Sequence, residues 1–96
     1  MTFIQIIDYE TDRPAEIDEQ MRQSMQVRGE PSFTRLEHTQ DHDNPRHFLT
    51  IVEFPSFELA MENNTRPETD QMARELAALC TSGPSYQNLD VRLHLP

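Results

Sequence analysis

The order of strand-like and helix-like segments constrains this chain more than any other feature. Strands are predicted where β-branched and aromatic residues alternate with other residues, and helices where apolar residues recur every three or four positions. The predicted order is a strand at 2–10, a helix at 15–28, strands at 32–40 and 47–54, a helical region at 55–80 and a strand at 86–95. This β-α-β-β-α-β order is typical of an α+β, ferredoxin-like domain. We therefore expect one domain over residues 1–96, with a four-stranded antiparallel sheet and two helices on one face.

Proline and glycine mark the ends of the predicted helices. Pro14 suits the first turn of the first helix, and Gly29 is a natural end for it. In the second helical region, Pro67 follows the polar residues "NNT". A proline there either kinks one helix or separates two, and the sequence leaves both possibilities open.

Two of the predicted strands are apolar on both faces. In the first strand Ile4 and Ile6 alternate with Phe3 and Ile7, and the third strand has the same character. Two helices can cover only one face of a sheet, so the other face needs a different partner. A second copy of the chain is the simplest one. The sequence therefore predicts a homodimer that packs sheet on sheet.

The charge of the chain excludes some classes of partner. Eight arginines stand against 17 Asp and Glu, which gives a formal net charge of −9. Nucleic acids and anionic membranes both favour basic surfaces, so we expect neither as a partner. The chain also has no run of about 20 apolar residues that could span a bilayer. We expect a soluble, cytoplasmic protein.

One segment carries a resemblance to a known family. The stretch "FPSFELAMENNTRPETDQMARELAAL" joins an aromatic strand end to a short helix and then to a longer helix opened by proline. With the element order, it resembles the dimeric α/β-barrel superfamily, and within it small proteins of the antibiotic-biosynthesis-monooxygenase type. Phe54, Phe57, Pro67 and Leu76 fit the motif. The resemblance implies a cavity between sheet and helices that binds a small molecule.

The resemblance also implies a choice of chemistry. Some such proteins oxidise polycyclic aromatic compounds with O₂ and no cofactor, and others degrade haem. The haem-degrading members use an amide, a Trp and an axial His, and these positions fall near Gln5, Asn63 and Ala73 here. Because the chain has no Trp and no His in that helix, we expect no haem and no other cofactor.

Polar and flexible side chains near the implied cavity are the candidate site residues. Asn63, Asn64 and Tyr9 are candidates for catalysis, since an amide or a phenol can stabilise a developing oxyanion. Gln5, Asn63, Asn64, Met21 and Met72 are the predicted substrate-binding residues. The alternatives are ordinary structural roles. The asparagines could cap the helix after them, the tyrosine could be an interface residue with its hydroxyl in water, and the methionines could be core.

The segment "HTQDHDNPRH" contains three histidines and two aspartates in residues 38–47. His38 and His47 could face each other across a hairpin and hold a metal ion. Asp and Asn are equally common as turn residues. We expect a turn and no metal site, with His38 and His47 as the residues to test.

Two functions remain open at this point. The first is a cofactor-independent monooxygenase acting on aromatic or polycyclic substrates. The second is a non-catalytic ligand-binding or structural homodimer of the same fold. The sequence does not name a substrate for either.

Overall fold

The computed structural model describes residues 1–28 and 32–96. Four strands and three helices occur in these ranges, and the predicted α+β, ferredoxin-like fold is confirmed. The elements are β1 (Phe3–Glu10), α1 (Pro14–Arg28), β2 (Arg35–Gln40), β3 (His47–Phe54), α2 (Phe57–Asn64), α3 (Pro67–Leu79) and β4 (Ser82–Asp90). The strands form one antiparallel sheet in the order β2-β3-β1-β4. The predicted helix end at Gly29 lies outside the described residues.

The second helical region is two helices, where one broken or kinked region was expected. Ser56 caps the start of α2, since its hydroxyl oxygen accepts a hydrogen bond from the backbone N–H of Leu59 at 3.2 Å. Pro67 is the first residue of α3. A proline at this position lacks only an N–H that has no partner within the helix. Pro67 therefore separates two helices.

The predicted bounds of the last strand are wrong. β4 runs from Ser82 to Asp90 because those residues pair with β1, whose first residue, Phe3, lies opposite Asp90. One further backbone bond joins the Val91 N–H to the Thr2 carbonyl at 2.9 Å. Residues 91–96 continue beyond the end of β4 and form no strand. Apolar and polar side chains do alternate in residues 91–95, but within one chain no described strand pairs with them.

The start of β4 depends on a glycine. Gly83 has a φ of +83°, and a Cβ atom there would lie 2.8 Å from the Asp8 carbonyl oxygen. The β1–β4 register shifts at this point, between Asp8 and Glu10. An L side chain would be strained in this conformation and would meet backbone. Gly83 thus allows β4 to approach β1 closely at the bulge.

The hydrophobic core lies between one sheet face and the helices. Two clusters of buried residues fill it. The first contains Tyr9, Ile17, Met21, Phe48 and Leu76, and the second contains Phe3, Val52, Phe54 and Ala60. Each cluster joins strand residues to helix residues, which places the helices on the same side of the sheet.

The opposite sheet face is open in the single chain. Ile6 on β1 pairs with Ile51 on β3. Ile4 and Leu49 lie on the same face, each two residues along its strand from that pair. These four side chains are only partly buried, and Leu89 on β4 is 43% exposed. We call this set the open apolar face. In the part of the chain that is described, no helix has the length and apolar character needed to cross a bilayer.

Candidate functional site

A cavity of about 300 Å³ lies between the sheet and the helices. Ile7, Thr50 and Val52 line it from the sheet, and Met21 and Leu76 line it from α1 and α3. Its lining is mainly apolar, with a small number of amide and hydroxyl groups. That composition is typical of a site for a small organic molecule.

The five predicted substrate-binding residues all line this cavity. Gln5 comes from β1, Met21 from α1, Asn63 and Asn64 from the end of α2, and Met72 from α3. Sequence spacing could not bring them together, because β1, α1 and the α2–α3 region are far apart in the chain. Their placement agrees with the predicted role in binding, which stays a prediction.

The Gln5 amide is held by the neighbouring strand. Gln5 and Asn88 pair in register across β1 and β4, and Gln5 Nε2 donates to Asn88 Oδ1 at 3.2 Å. This bond orients the Gln5 side chain along the sheet at the cavity wall. A fixed amide is better suited than a mobile one to orienting a ligand oxygen.

Helix capping does not explain Asn63. Asn63 lies in the last turn of α2 and is 6% exposed. The N-cap residue of α3 is Arg66, and the Arg66 side chain makes no capping hydrogen bond. The interpretation of Asn63 and Asn64 as caps of the following helix is therefore wrong. The asparagines are placed by the end of α2, at the cavity.

Tyr9 lies behind the cavity wall. It is 1% exposed, and its hydroxyl is 2.8 Å from Thr50 Oγ1. Burial raises the pKa of Tyr9 to about 12, although the hydrogen bond with Thr50 acts in the opposite direction. The interpretation of Tyr9 as an interface residue with its hydroxyl in water is wrong. Tyr9 does not itself line the cavity, but its partner Thr50 and its cluster neighbours Met21 and Leu76 do.

The two methionines differ in surroundings. Met21 is 7% exposed and belongs to a core cluster as well as to the cavity wall. Met72 is partly buried and lies on α3. Met21 is therefore a core residue, as one of the two interpretations predicted, and it also lines the cavity. A flexible thioether side chain can adapt its shape to a ligand.

Five further polar residues line the cavity that were not among the predicted site residues: Gln20, Thr50, Thr69, Asp70 and Tyr86. Thr50 is 0% exposed, and it could have been noticed as the one hydroxyl on an otherwise aromatic and aliphatic strand face. Gln20 donates from Nε2 to the Met72 carbonyl at 3.1 Å and to Glu75 Oε2 at 3.0 Å. Tyr86 lines the mouth, and burial raises its pKa. Gln20 gave no signal, because a glutamine beside an apolar helix residue is ordinary.

The positions related to haem-degrading proteins also meet at the cavity. Gln5, Asn63 and Ala73 all line it. The methyl group of Ala73 cannot ligate iron, and no Trp occurs in the chain. The residues present therefore do not fit the haem arrangement of those proteins.

The expected approach of His38 and His47 across the hairpin is wrong. His38 pairs in register with Thr50, and its ring packs on Tyr9 and Phe48, on the helix-covered face. His47 belongs to the other face, where it contacts Asp8. The physical reason is the alternation of side chains along a strand. The two imidazoles cannot share one metal ion, and the described residues contain no group of three or more His, Cys, Asp or Glu placed to hold one.

The turn between β2 and β3 explains most of the polar residues. Asp41 Oδ1 accepts from the Asp43 N–H at 2.9 Å, and Asn44 Oδ1 accepts from the Arg46 N–H at 3.1 Å. Both are side-chain-to-backbone bonds two residues along, as in Asx turns. These residues therefore shape the hairpin.

His47 links the turn to the sheet. Its Nδ1 is 3.0 Å from Asp41 Oδ2 and its Nε2 is 2.7 Å from Asp8 Oδ1. The hydrogen bond with Asp41, followed by that with Asp8, raises the pKa of His47. The same bond with His47 is the largest cause of a lowered pKa at Asp41. This arrangement favours a charged imidazolium between two carboxylates.

The chain is similar in structure to several solved proteins. SnoaB from Streptomyces nogalater, a cofactor-independent oxygenase, is 19% identical with a TM-score of 0.79, and the match covers 99% of this chain and 97% of SnoaB. A proposed antibiotic biosynthesis monooxygenase from Nitrosomonas europaea is 15% identical with a TM-score of 0.77, covering 95% and 90%. A conserved protein from Methanosarcina mazei Go1 is 8% identical with a TM-score of 0.79, covering 93% and 91%.

These likenesses establish the fold. The chain has the same ferredoxin-like architecture as proteins of the antibiotic-biosynthesis-monooxygenase type, as the sequence predicted. Identities this low do not transfer an activity from one protein to another. No family model and no curated protein sequence matches the chain.

Proposed function

We propose that this protein binds a small, flat, apolar molecule, of the aromatic or polycyclic class, in the cavity between sheet and helices. One observation carries the proposal. The amides of Gln5, Asn63 and Asn64 are set into a mainly apolar lining around about 300 Å³. Ligand sites span roughly 300 to 1,000 Å³, so this cavity suits a compact ligand. The apolar walls would bury ring carbons, and the amides would orient a carbonyl or hydroxyl group.

Cofactor-independent oxygenation is the reaction that this arrangement supports best. The likeness in fold to SnoaB, a cofactor-independent oxygenase, supports it. Amide N–H groups would stabilise the negative oxygen of a substrate enolate or phenolate. Such an anion reacts with O₂ so that a ring CH₂ becomes C=O. One oxygen atom enters the product, and the other leaves as water with the two hydrogens of the CH₂ group.

A non-catalytic ligand-binding or structural homodimer is the second candidate. It is favoured by the ionisable groups at the cavity wall. Asp70 is a lining carboxylate, but it is ion-paired with Arg74. The other ionisable lining group in the described ranges is the phenol of Tyr86, whose pKa is raised. Neither group is a good general base at neutral pH.

A homodimer through the open apolar face is part of the proposal. The face carries aliphatic side chains that the helices do not cover. Residues 91–96 add Leu93 and Leu95, which are 73% and 71% exposed. The apolar side chains of residues 91–96 and of the open apolar face would be buried together if two copies of the chain packed against each other. We place this dimer in the cytoplasm, where a single free thiol such as Cys80 remains reduced.

Binding and turnover are tested separately. An anthrone-type polycyclic phenol is titrated into the protein under nitrogen, and binding is followed by the change in ligand fluorescence. The same ligand is then mixed with protein in air, and oxygen uptake is recorded against a protein-free control. Binding with protein-dependent uptake supports the oxygenase. Binding without oxygen uptake supports the non-catalytic ligand-binding protein. An absence of binding contradicts both the oxygenase and the ligand-binding protein.

A further inference from the structure

The Asp18–His38 pair, in which the aspartate side chain is 45% exposed, is a chemical group that the proposed function does not yet use. Asp18 is on α1 and His38 is on β2, and Asp18 Oδ1 is hydrogen-bonded to His38 Nδ1. The His38 side chain is only 12% exposed. Its ring lies with its centroid 6.0 Å from that of Tyr9 and 5.3 Å from that of Phe48. The imidazole is therefore held by a carboxylate on one side and by aromatic rings on the other.

The hydrogen bond to Asp18 determines what the other ring nitrogen can do. An ionised carboxylate only accepts hydrogen bonds, so the proton of a neutral imidazole is on Nδ1. Nε2 then carries a free lone pair. Nε2 is buried and has no hydrogen-bond partner among the described residues. Buried polar atoms are usually satisfied, so an orphaned acceptor needs an explanation.

His38 does not itself line the cavity, but several of its neighbours do. His38 pairs in register with Thr50, which lines the cavity, and Leu36 lines it from the same face of β2. On α1, Met21 lines the cavity one turn after Asp18. Met21 also belongs to the core cluster with Tyr9 and Phe48, the two rings that contact His38. A flexible methionine thus belongs both to the cavity lining and to the cluster whose rings contact the pair.

We propose that His38 is the proton acceptor of the cavity, with Asp18 as its positioning residue. The inference rests on the proposed function, since it requires a hydroxylated ligand in the cavity. When a phenol binds at the Thr50 end and Met21 moves aside, the phenolic O–H bond breaks and an N–H bond forms at His38 Nε2. The products are a phenolate and an imidazolium. Asp18 keeps its charge and stabilises the imidazolium, as a carboxylate does for a general-base histidine.

This assignment supplies the base that the cavity wall lacks. A phenolate or enolate is the species that the amides of Gln5 and Asn63 would stabilise, and a base is needed to form it. The ionisable groups that face the imidazole are Asp18 from α1 and Tyr9 from β1, while β3 contributes the non-ionisable Phe48. Cys80 is close enough to Tyr9 to add to the rise of the tyrosine's pKa.

The test uses 2-naphthol, a fluorescent phenol whose anion absorbs at longer wavelength than the neutral form. Its ionisation is titrated while it is bound to the intact protein, to His38→Gln and to Asp18→Asn. The matched control is His42→Gln, which changes an exposed imidazole of the turn. In the unsubstituted protein and the control, bound naphthol should ionise about tenfold more readily than free naphthol, and both pair variants should abolish this gain.

The possible outcomes separate the inference from the proposed function. If naphthol binds and ionises equally in the unsubstituted protein and in His38→Gln, the inference is wrong and the binding function stands. If naphthol does not bind, both are wrong. If His38→Gln does not fold, the inference is tested by the naphthol titration of Asp18→Asn and by nitrogen NMR of His38 in the unsubstituted protein. The ring should carry its proton on Nδ1 when free and on both nitrogens with naphthol, and an Nε2 signal unchanged by naphthol overturns the inference.

Discussion

His38 and His47 lie on opposite faces of the same sheet, although both flank one short hairpin. His38 packs under the helices against Tyr9 and Asp18, and His47 bonds to Asp8 and Asp41 on the other side. One imidazole is thereby enclosed beside the ligand cavity, and the other is part of a charged network at the surface. The same residue type in one sequence cluster thus has two unrelated environments.

Replacing Gln5 with Leu should weaken ligand binding. The substitution keeps the size of the side chain but removes the amide at the cavity wall, and it leaves Asn88 without its partner. We expect a loss of about fivefold in affinity for the polycyclic phenol, since one hydrogen bond contributes about 1 kcal/mol. Fluorescence titration measures it. Gln26→Leu, an exposed change on α1, is the control. Equal affinities for both variants would show that the Gln5 amide does not contact the ligand.

Removing the Tyr9 hydroxyl should destabilise the fold. In Tyr9→Phe the buried Thr50 hydroxyl loses its partner at 2.8 Å. A cost of about 1 to 2 kcal/mol in the free energy of unfolding is expected, because the hydroxyl left behind is shielded from water. Tyr86→Phe is the matched control, since Tyr86 is 47% exposed, and it should change stability by less than about 0.5 kcal/mol. Urea unfolding compares the two, and similar losses would contradict the structural role of Tyr9.

The His47 network should make stability depend on pH. The pKa of His47 is raised by folding, so its contribution is fully present below its ordinary pKa of 6.5 and is lost as the pH rises through the folded value. The pKa of Asp41 is lowered, so its contribution is present above the ordinary value of 3.8 and is lost as the pH falls through the folded one. The network therefore stabilises most in the weakly acidic range.

His47→Gln tests this dependence. The difference in urea midpoint between this variant and the unsubstituted protein should be larger at about pH 5.5 than at about pH 8.5. His42→Gln changes an exposed histidine of the same turn and should give no such trend. A difference that grows towards alkaline pH would refute the charged network.

A carboxylate on the open apolar face should prevent association. In Ile51→Glu the new charge lies opposite Ile6, at the centre of the proposed dimer interface. Burying an unpaired charge is strongly unfavourable, so the dimer should give way to monomer at micromolar concentration. Light scattering after size exclusion measures the mass. Ala78→Glu, on an exposed position of α3, should leave the dimer intact. A monomeric unsubstituted protein would remove the dimer from the proposed function.

The tail offers an independent test of the same interface. Leu93→Ser with Leu95→Ser removes two of the most exposed apolar side chains of the chain. If the tail covers a second copy, the dissociation constant should rise by at least about tenfold, because each buried leucine contributes about 2 kcal/mol. Analytical ultracentrifugation is the measurement. An unchanged constant would leave the open apolar face as the interface without the tail.

The fold could be predicted because its signals are local. Alternation in residues 2–10 and 47–54 indicates strands, and recurrence of apolar residues at helical spacing indicates helices. The cavity residues Gln5, Asn63, Asn64, Met21 and Met72 were found through the resemblance, which places family positions on this chain. Gln20 was missed because nothing in its neighbours distinguishes it, whereas Thr50 could have been noticed as the one hydroxyl on an apolar strand face.

The sequence by itself determined the α+β class, the element order and the polar turn at residues 41–46, because each depends on residues that are neighbours in the chain. It did not determine whether Pro67 kinks one helix or separates two. Only the tertiary structure decided which polar groups meet. It enclosed His38 with Asp18 and Tyr9, exposed His47 to two aspartates, and ended β4 at Asp90 where β1 begins. Strand pairing and helix packing bring distant residues together, and the choice of sheet face depends on register, which a local pattern does not contain.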